Sequence, residues 1–253
     1  KINPKDSMSG SYLGPKFENS TIEKELLSID ANFQKKSEEE LLSVLASELS
    51  KEKTVGWFQG RMEFGPRALG ARSILADPRS VKMQKELNLK VKFRESFRPF
   101  APSVLNEDVS AWFDLNEPSP YMLLVAEVKK EIQISMTPEQ QTLFGIEKLN
   151  IQRSKIPSVT HVDYSARVQT VHQETNPRYY KLIKKFKEIT NCPVLINTSF
   201  NIRGEPIVCS IKDAYRCFMG TNLDILVIED FIMYKEKQNI LLDKDYKNKF
   251  KLD

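Results

Sequence analysis

An α/β fold is what this sequence predicts, and three observations carry the prediction. Short β-prone runs, among them Thr54-Val-Gly-Trp-Phe58 and Pro193-Val-Leu-Ile-Asn197, are interleaved with segments whose apolar residues recur at helical spacing. Helix starts are marked by caps: Ser37 with Glu40, Ser210 with Asp213, and Asn176 followed by Pro177. Polar side chains that a core has no use for, Gln59, Arg61, Asn197, Thr198 and Ser199, fall where strands end, and strand ends are where α/β sheets place their sites.

Taken in order, residues 1–20 are rich in Ser, Gly, Pro and Lys and read as a mobile or docking arm. Ile22, Leu26 and Leu27 predict a helix over residues 21–33, and Ser37 caps a second that runs through Leu41, Leu42, Leu45 and Leu49. A strand at 54–58 leads into a basic stretch, and Val81, Met83, Leu87, Leu89 and Val91 predict a helix over 80–91. The apolar run at 121–129 predicts a core strand. Residues 130–155, polar and aperiodic, read as an insertion or flexible lid. Residues 159–171 predict two short strands around a turn, with His161, Arg167 and Gln169 as unusual polar intrusions. The Asn176 cap opens a helix whose buried stripe is Tyr179, Leu182, Ile183 and Phe186, the 193–201 strand follows, and Ser210 caps a further helix through Phe218. Residues 225–234 close the sheet. The resulting division is an arm (1–20), a domain (21–235) and a peripheral basic tail (236–253).

Composition narrows the function classes. The chain has 253 residues, 40% of them hydrophobic, enough for one large domain or two small ones. No apolar run approaches the roughly 18 residues that span a bilayer, and Lys1-Ile2-Asn3-Pro4 is no signal peptide. A first residue that is lysine predicts a processed or truncated piece. Three cysteines without Cys-x-x-Cys spacing predict neither a disulfide framework nor a zinc site, hence a reducing, cytoplasmic setting. The net charge of +4 falls short of a dedicated nucleic-acid binder, so the positive charge is assigned to a local anionic site, with nucleic acid the weaker expectation. His161 and His172 sit in unlike contexts and make a poor metal pair, and no Gly-rich phosphate loop of the Walker or dinucleotide type is present.

Two basic clusters carry the chemistry. Residues 60–79 hold Arg61, Arg67, Arg72 and Arg79 among three glycines and two prolines, a shaped positive loop suited to phosphate or carboxylate; the bland reading is a solvated loop with surface ion pairs. Lys90, Lys92, Arg94 and Arg98 recur at even separations. If that segment is extended, the cations share one face, and Pro99 and Pro102 mark a sheet edge; the bland reading is an edge strand guarded by lysines. Asn197, Thr198 and Ser199 form either a hydrogen-bonding platform or an ordinary polar turn.

Gly60-Arg-Met-Glu-x-Gly-Pro-Arg-Ala-Leu-Gly70, Arg94-Glu-x-Phe-Arg-Pro-Phe-Ala-Pro102 and Asn197-Thr-Ser-Phe-Asn201, with the 161–171 segment, together resemble the C-terminal domain of the carbamoyltransferases of the nodulation and antibiotic-tailoring family, over roughly residues 10–235. The resemblance implies a YrdC-like fold, a twisted mixed β-sheet flanked by helices and open on one face. It implies that carbamoyl phosphate and ATP, with Mg²⁺ on the nucleotide and no protein metal site, are joined into carbamoyl-adenylate. It places anion-binding and catalytic roles on Arg67, Lys92 and Arg98, and binding roles on Arg167, Asn197 and Ser199. It also implies that a kinase-like N-terminal half, absent from this chain, moves the carbamoyl group to a hydroxyl. The alternative is an RNA- or nucleotide-binding module, or a structural lobe, without catalysis of its own.

Overall fold

A computed structural model describes residues 6–149, 151–239 and 245–250. Among the described residues, nine strands form one open mixed sheet: β1 (Gln34–Lys35), β2 (Val55–Phe58), β3 (Arg72–Ala76), β4 (Ala101–Leu105), β5 (Leu124–Glu127), β6 (Ser165–Val171), β7 (Val194–Ser199), β8 (Ile225–Ile228) and β9 (Phe231–Tyr234). Their order is β1-β9-β8-β2-β3-β7-β4-β6-β5. The pairs β2–β8 and β4–β6 are parallel and the rest antiparallel. The helices are α1 (Asn19–Ser28), α2 (Glu38–Ser50), α3 (Met83–Lys90), α4 (Val109–Trp112), α5 (Pro138–Gln141), α6 (Gly145–Leu149), α7 (Pro177–Thr190) and α8 (Ile211–Gly220).

The predicted caps are formed. Ser37 and Ser210 each complete a capping box with Glu40 and Asp213, and the Asn176 side chain accepts from the Tyr179 amide at the start of α7. The Tyr179, Leu182, Ile183 and Phe186 stripe is fully buried, and α7 packs on β4 and β7 and alongside α2. One continuous core joins these helices to the central strands. No described helix is long and apolar enough to cross a membrane.

Several expectations need correcting. The 121–129 run is no core strand: β5 is one of the sheet's two outer strands, and Leu123 and Val125 are 69% and 64% exposed. Apolar composition alone does not distinguish an edge from a centre. Within 159–171 a single strand forms, β6, because residues 157–159 make a 3₁₀ turn and Tyr164 turns back with φ 63°. The 92–99 segment is not extended. Phe93 has φ 49°, and the Lys92 amide donates to the Leu87 carbonyl at the end of α3, so the cations do not share one strand face. Pro102 lies not at an edge but near the start of β4, a central strand, where pairing to β6 begins one residue later at Ser103. Both predicted helices at 21–33 and 80–91 are shorter, and 225–234 is the hairpin β8–β9 with β1 beyond it. Residues 130–155 carry α5 and α6 and are closed at their base by a Gln133–Ser154 bridge.

The N-terminal segment lies along the loop that follows β2. Phe64 N donates to Ser11 O at 2.7 Å, Gly14 N to Met62 O at 2.9 Å, Met62 N to Pro15 O at 3.0 Å, and the Tyr12 hydroxyl to Leu69 O at 2.7 Å. The arm therefore docks on the first basic motif.

Candidate active site

The β2–β3 connection, residues 59–71, is shaped by one carboxylate. Glu63 is 6% exposed, and its Oε1 accepts from the amides of Leu69 (2.7 Å), Ala71 (2.7 Å) and Arg72 (3.2 Å). With three amides from the loop and the start of β3 on one oxygen, the acid acts as the loop's internal template. Gly70 has φ +100°, and a Cβ there would come within 2.2 Å of the Tyr179 ring, so only glycine fits.

The four arginines of this motif divide by role. Arg72 is fully buried on β3, its guanidinium 3.5 Å from the Phe58 ring centre, donating to the carbonyls of Gln59, Gly60, Ala71 and Pro15. Burial pushes it down to about 10. Arg79 is engaged by Asp77 through two nitrogens, and Arg61 reaches the Gly14 carbonyl. Arg67 differs: its buried Nε has no protein partner. One arginine braces the strand, one is paired locally, one reaches the N-terminal segment, and one lines a hollow.

That hollow, about 160 Å³, lies at the end of β7, between β3 and β4, and its walls include Arg67, Arg94, Arg167, Asn197, Thr198 and Ser199. Asn197, 1% exposed, donates through Nδ2 to Ala68 O (3.1 Å) and to Gln169 Oε1 (2.8 Å). Gln169 in turn donates to Leu69 O (2.8 Å) and accepts from Ser103 Oγ (2.5 Å). Because a backbone carbonyl can only accept, this network fixes which way the Asn197 amide points. Its Oδ1 is left buried and unpartnered, as are Nε of Arg67 and Nε of Arg167. Burial and then the neighbouring Arg67 push Arg167 below the usual guanidinium range. Among the described residues, no Asp or Glu lines this hollow. Crowded cations without a counter-charge, beside one fixed acceptor, are chemically suited to an anion that also carries an N–H or O–H.

A second hollow of about 450 Å³ adjoins it, walled by Lys92, Arg94, Arg98, Asn201, Arg203 and Glu205. Arg94 and Ser199 line both. Lys92 is 3% exposed, and its ammonium reaches Ser199 O (2.5 Å), Ser199 Oγ (3.2 Å), Asn201 O (3.0 Å) and Asn201 Oδ1 (2.8 Å). It thereby pins the turn that follows β7. Burial, with Arg94 alongside, pushes Lys92 down to about 7. Burial first and Arg98 second push Arg94 down to about 10. Arg98 is half exposed, 3.9 Å from Glu95, a surface pair of small energetic weight.

All six expected site residues thus fall in two adjoining hollows. Arg67, Arg167, Asn197 and Ser199 line the first, and Lys92, Arg98 and Ser199 line the second. Sequence reasoning missed Arg94, Asn201 and Arg203, and it missed Glu63. Arg94 was visible as one of four evenly spaced cations, but even spacing gives no reason to prefer it over Lys90, whose ammonium lies 3.4 Å from Glu86 on α3.

The family model for the carbamoyltransferase C-terminus matches residues 46–235, a span that contains both hollows. The chain belongs to that family. This carbamoyltransferase C-terminal domain is 57% identical to an uncharacterised protein of Synechocystis over 98% of its length and 41% of the relative's. It is 39% identical to nodulation protein NolO of Bradyrhizobium diazoefficiens over 94% of the chain and 40% of the relative. With the 3'-hydroxymethylcephem-O-carbamoyltransferase of Streptomyces clavuligerus it shares 35% identity over 74% of the chain and 32% of that enzyme. The carbamoyltransferase domain therefore spans less than half the length of these relatives. Among solved structures, full-length HypF in a phosphate- and nucleotide-bound form aligns over 83% of the chain and 22% of its own length, at 14% identity and a TM-score of 0.47, too distant to bear on function.

Proposed function

We propose that the first hollow takes carbamoyl phosphate, that the second takes the triphosphate of ATP, and that the domain joins them into carbamoyl-adenylate. The observation that carries this reading is that three side chains lining one hollow, Arg67, Arg167 and Asn197, each keep a buried polar atom without a partner, while none of the described residues lining it is a carboxylate. Carbamoyl phosphate presents the matching groups: phosphate oxygens for the two guanidiniums and an amide N–H for the Asn197 oxygen. One water frees carbamate from its phosphate, and a carbamate oxygen then displaces pyrophosphate from the α-phosphorus of ATP. Arg94 and Ser199, common to both hollows, stand where the two substrates meet. Fixed cations that offset charge on transferring oxygens supply most of the catalysis in such chemistry. Mg²⁺ would arrive on the triphosphate. The second hollow's one carboxylate, Glu205, is engaged by the Ile202 amide and Tyr246, which leaves it poorly placed to hold a metal, and the described residues contain no cluster of three or more metal-ligating side chains. The carbamoyl group would then pass to a hydroxyl held by a kinase-like N-terminal half of a longer protein.

The test is exchange of labelled pyrophosphate into ATP by the purified chain, dependent on carbamoyl phosphate. Arg98→Ala, an exposed position where folding is not at stake, should lower exchange about tenfold. A folded sample that shows no exchange overturns the reading.

A pH dependence follows from Lys92. With the ammonium held at about 7, it is charged below that value and loses its charge above it, so anion binding in the second hollow should weaken as pH rises. Sulfate, whose charge is constant over the range, is the probe. Its Kd should rise about tenfold from pH 6 to pH 9, and Lys92→Arg, charged throughout, should flatten the curve. A pH-independent Kd in the unmodified chain would exclude Lys92 as the titrating group.

A further inference from the structure

The sequence assigns the C-terminal tail a peripheral place, yet Tyr246 is fully buried. Its ring lies against Gly220 at the end of α8, where a Cβ would come within 2.2 Å of it, and it meets Phe250 edge to face with ring centres 5.6 Å apart. The seat is built for an aromatic ring, since no larger residue than glycine leaves room for it. The Tyr246 hydroxyl bonds to Glu205 Oε1. The other oxygen of that carboxylate accepts from the Ile202 amide at 2.9 Å. The Glu205 carbonyl accepts from Asn201 Nδ2 at 2.6 Å, and Asn201 Oδ1 accepts from Lys92 Nζ (2.8 Å) and Ser199 Oγ (2.7 Å). An unbroken hydrogen-bonded path therefore runs from the tail to the wall shared by the two hollows.

We propose that Tyr246 is a positioning residue for the second hollow: by holding Glu205 it sets the 201–206 turn, and with it Asn201 and Arg203, for a polyphosphate. The position lies outside residues 46–235, the span the family model matches. The physical reason is that Glu205 is a buried carboxylate in the lining of an anion site. With Tyr246 on one oxygen and Ile202 on the other, both carboxylate oxygens are engaged. Released, it is free to pair with Arg203 or Lys92 and to repel the incoming phosphate. The proposal rests on the reading that the second hollow binds the triphosphate.

The test uses the 253-residue chain, with Tyr246→Phe, which keeps the packed ring and removes only the hydroxyl. Calorimetric titration with inorganic pyrophosphate should show affinity at least tenfold weaker than in the unmodified chain. Affinity for carbamoyl phosphate, assigned to the first hollow, should stay within about twofold. Adding Glu205→Gln to Tyr246→Phe should restore most of the pyrophosphate affinity, because the released charge is gone; a purely structural role for the tail gives no such rescue. Equal pyrophosphate affinity in Tyr246→Phe and the unmodified chain overturns the proposal, and so does a parallel loss for both ligands. Absence of pyrophosphate binding in the unmodified chain overturns instead the reading on which it rests.

Discussion

Replacing Glu63 with alanine is expected to lower the melting temperature by about 10 °C and to abolish carbamoyl phosphate-dependent exchange. The Glu63 carboxylate is the acceptor for three buried amides in the loop that positions Arg67. Orphaned buried donors cost about 1–3 kcal/mol each. Allowing for relaxation of the loop, about 4 kcal/mol is lost, which is about 10 °C or more for a chain of this size. Glu63→Gln keeps one acceptor oxygen and should lose about half as much. Thermal melts of the three proteins decide the matter: an alanine variant that melts within about 2 °C of the parent would show that the loop holds its shape by other means.

Removing Arg67 or Arg167 from the first hollow should separate activity from stability. If the proposed adenylation holds, Arg67→Ala or Arg167→Ala deletes a donor to charge developing during transfer, with an expected loss of about 10²- to 10³-fold in exchange rate. The same change relieves repulsion between two cations that share a hollow without a carboxylate, so the melting temperature should hold or rise. Functional sites commonly carry such a stability penalty. Steady-state exchange and a thermal melt on each variant test both halves. A fall in stability that matches the fall in rate would reassign the pair to holding the fold.

Much of this arrangement was legible from local chemistry. The caps at Ser37, Asn176 and Ser210 were readable because a short polar side chain three residues before a helical amide has one geometry to adopt. The polar end of the β7 run was legible as either a hydrogen-bonding platform or an ordinary turn, because hydroxyl and amide groups need partners, and Asn197 lines the hollow. The rest depended on contacts distant in sequence. Glu63 was counted only as an acid among arginines, and nothing in its neighbours tells that it folds back on amides six to nine residues on. Arg72 and Arg67 share one motif, and only the sheet decides that one lies inside it and the other at its rim. The 92–99 segment was read by strand periodicity, which fails where Phe93 takes a left-handed backbone. The run at 121–129 was read as core because apolar content does not report how many neighbours a strand has.

The order of strands has a kinetic consequence. Val55 on β2 pairs with Ile225 on β8, and Ser73 on β3 with Ser199 on β7, so the middle of the sheet is stitched from opposite ends of the chain. Pairings this remote must close long loops before they return any binding energy, which places folding in the slow, millisecond-to-second class or beyond. During synthesis the ribosome must release nearly the whole domain before Arg67 can meet Asn197. Neither half of the molecule can form the first hollow while the other is still being made.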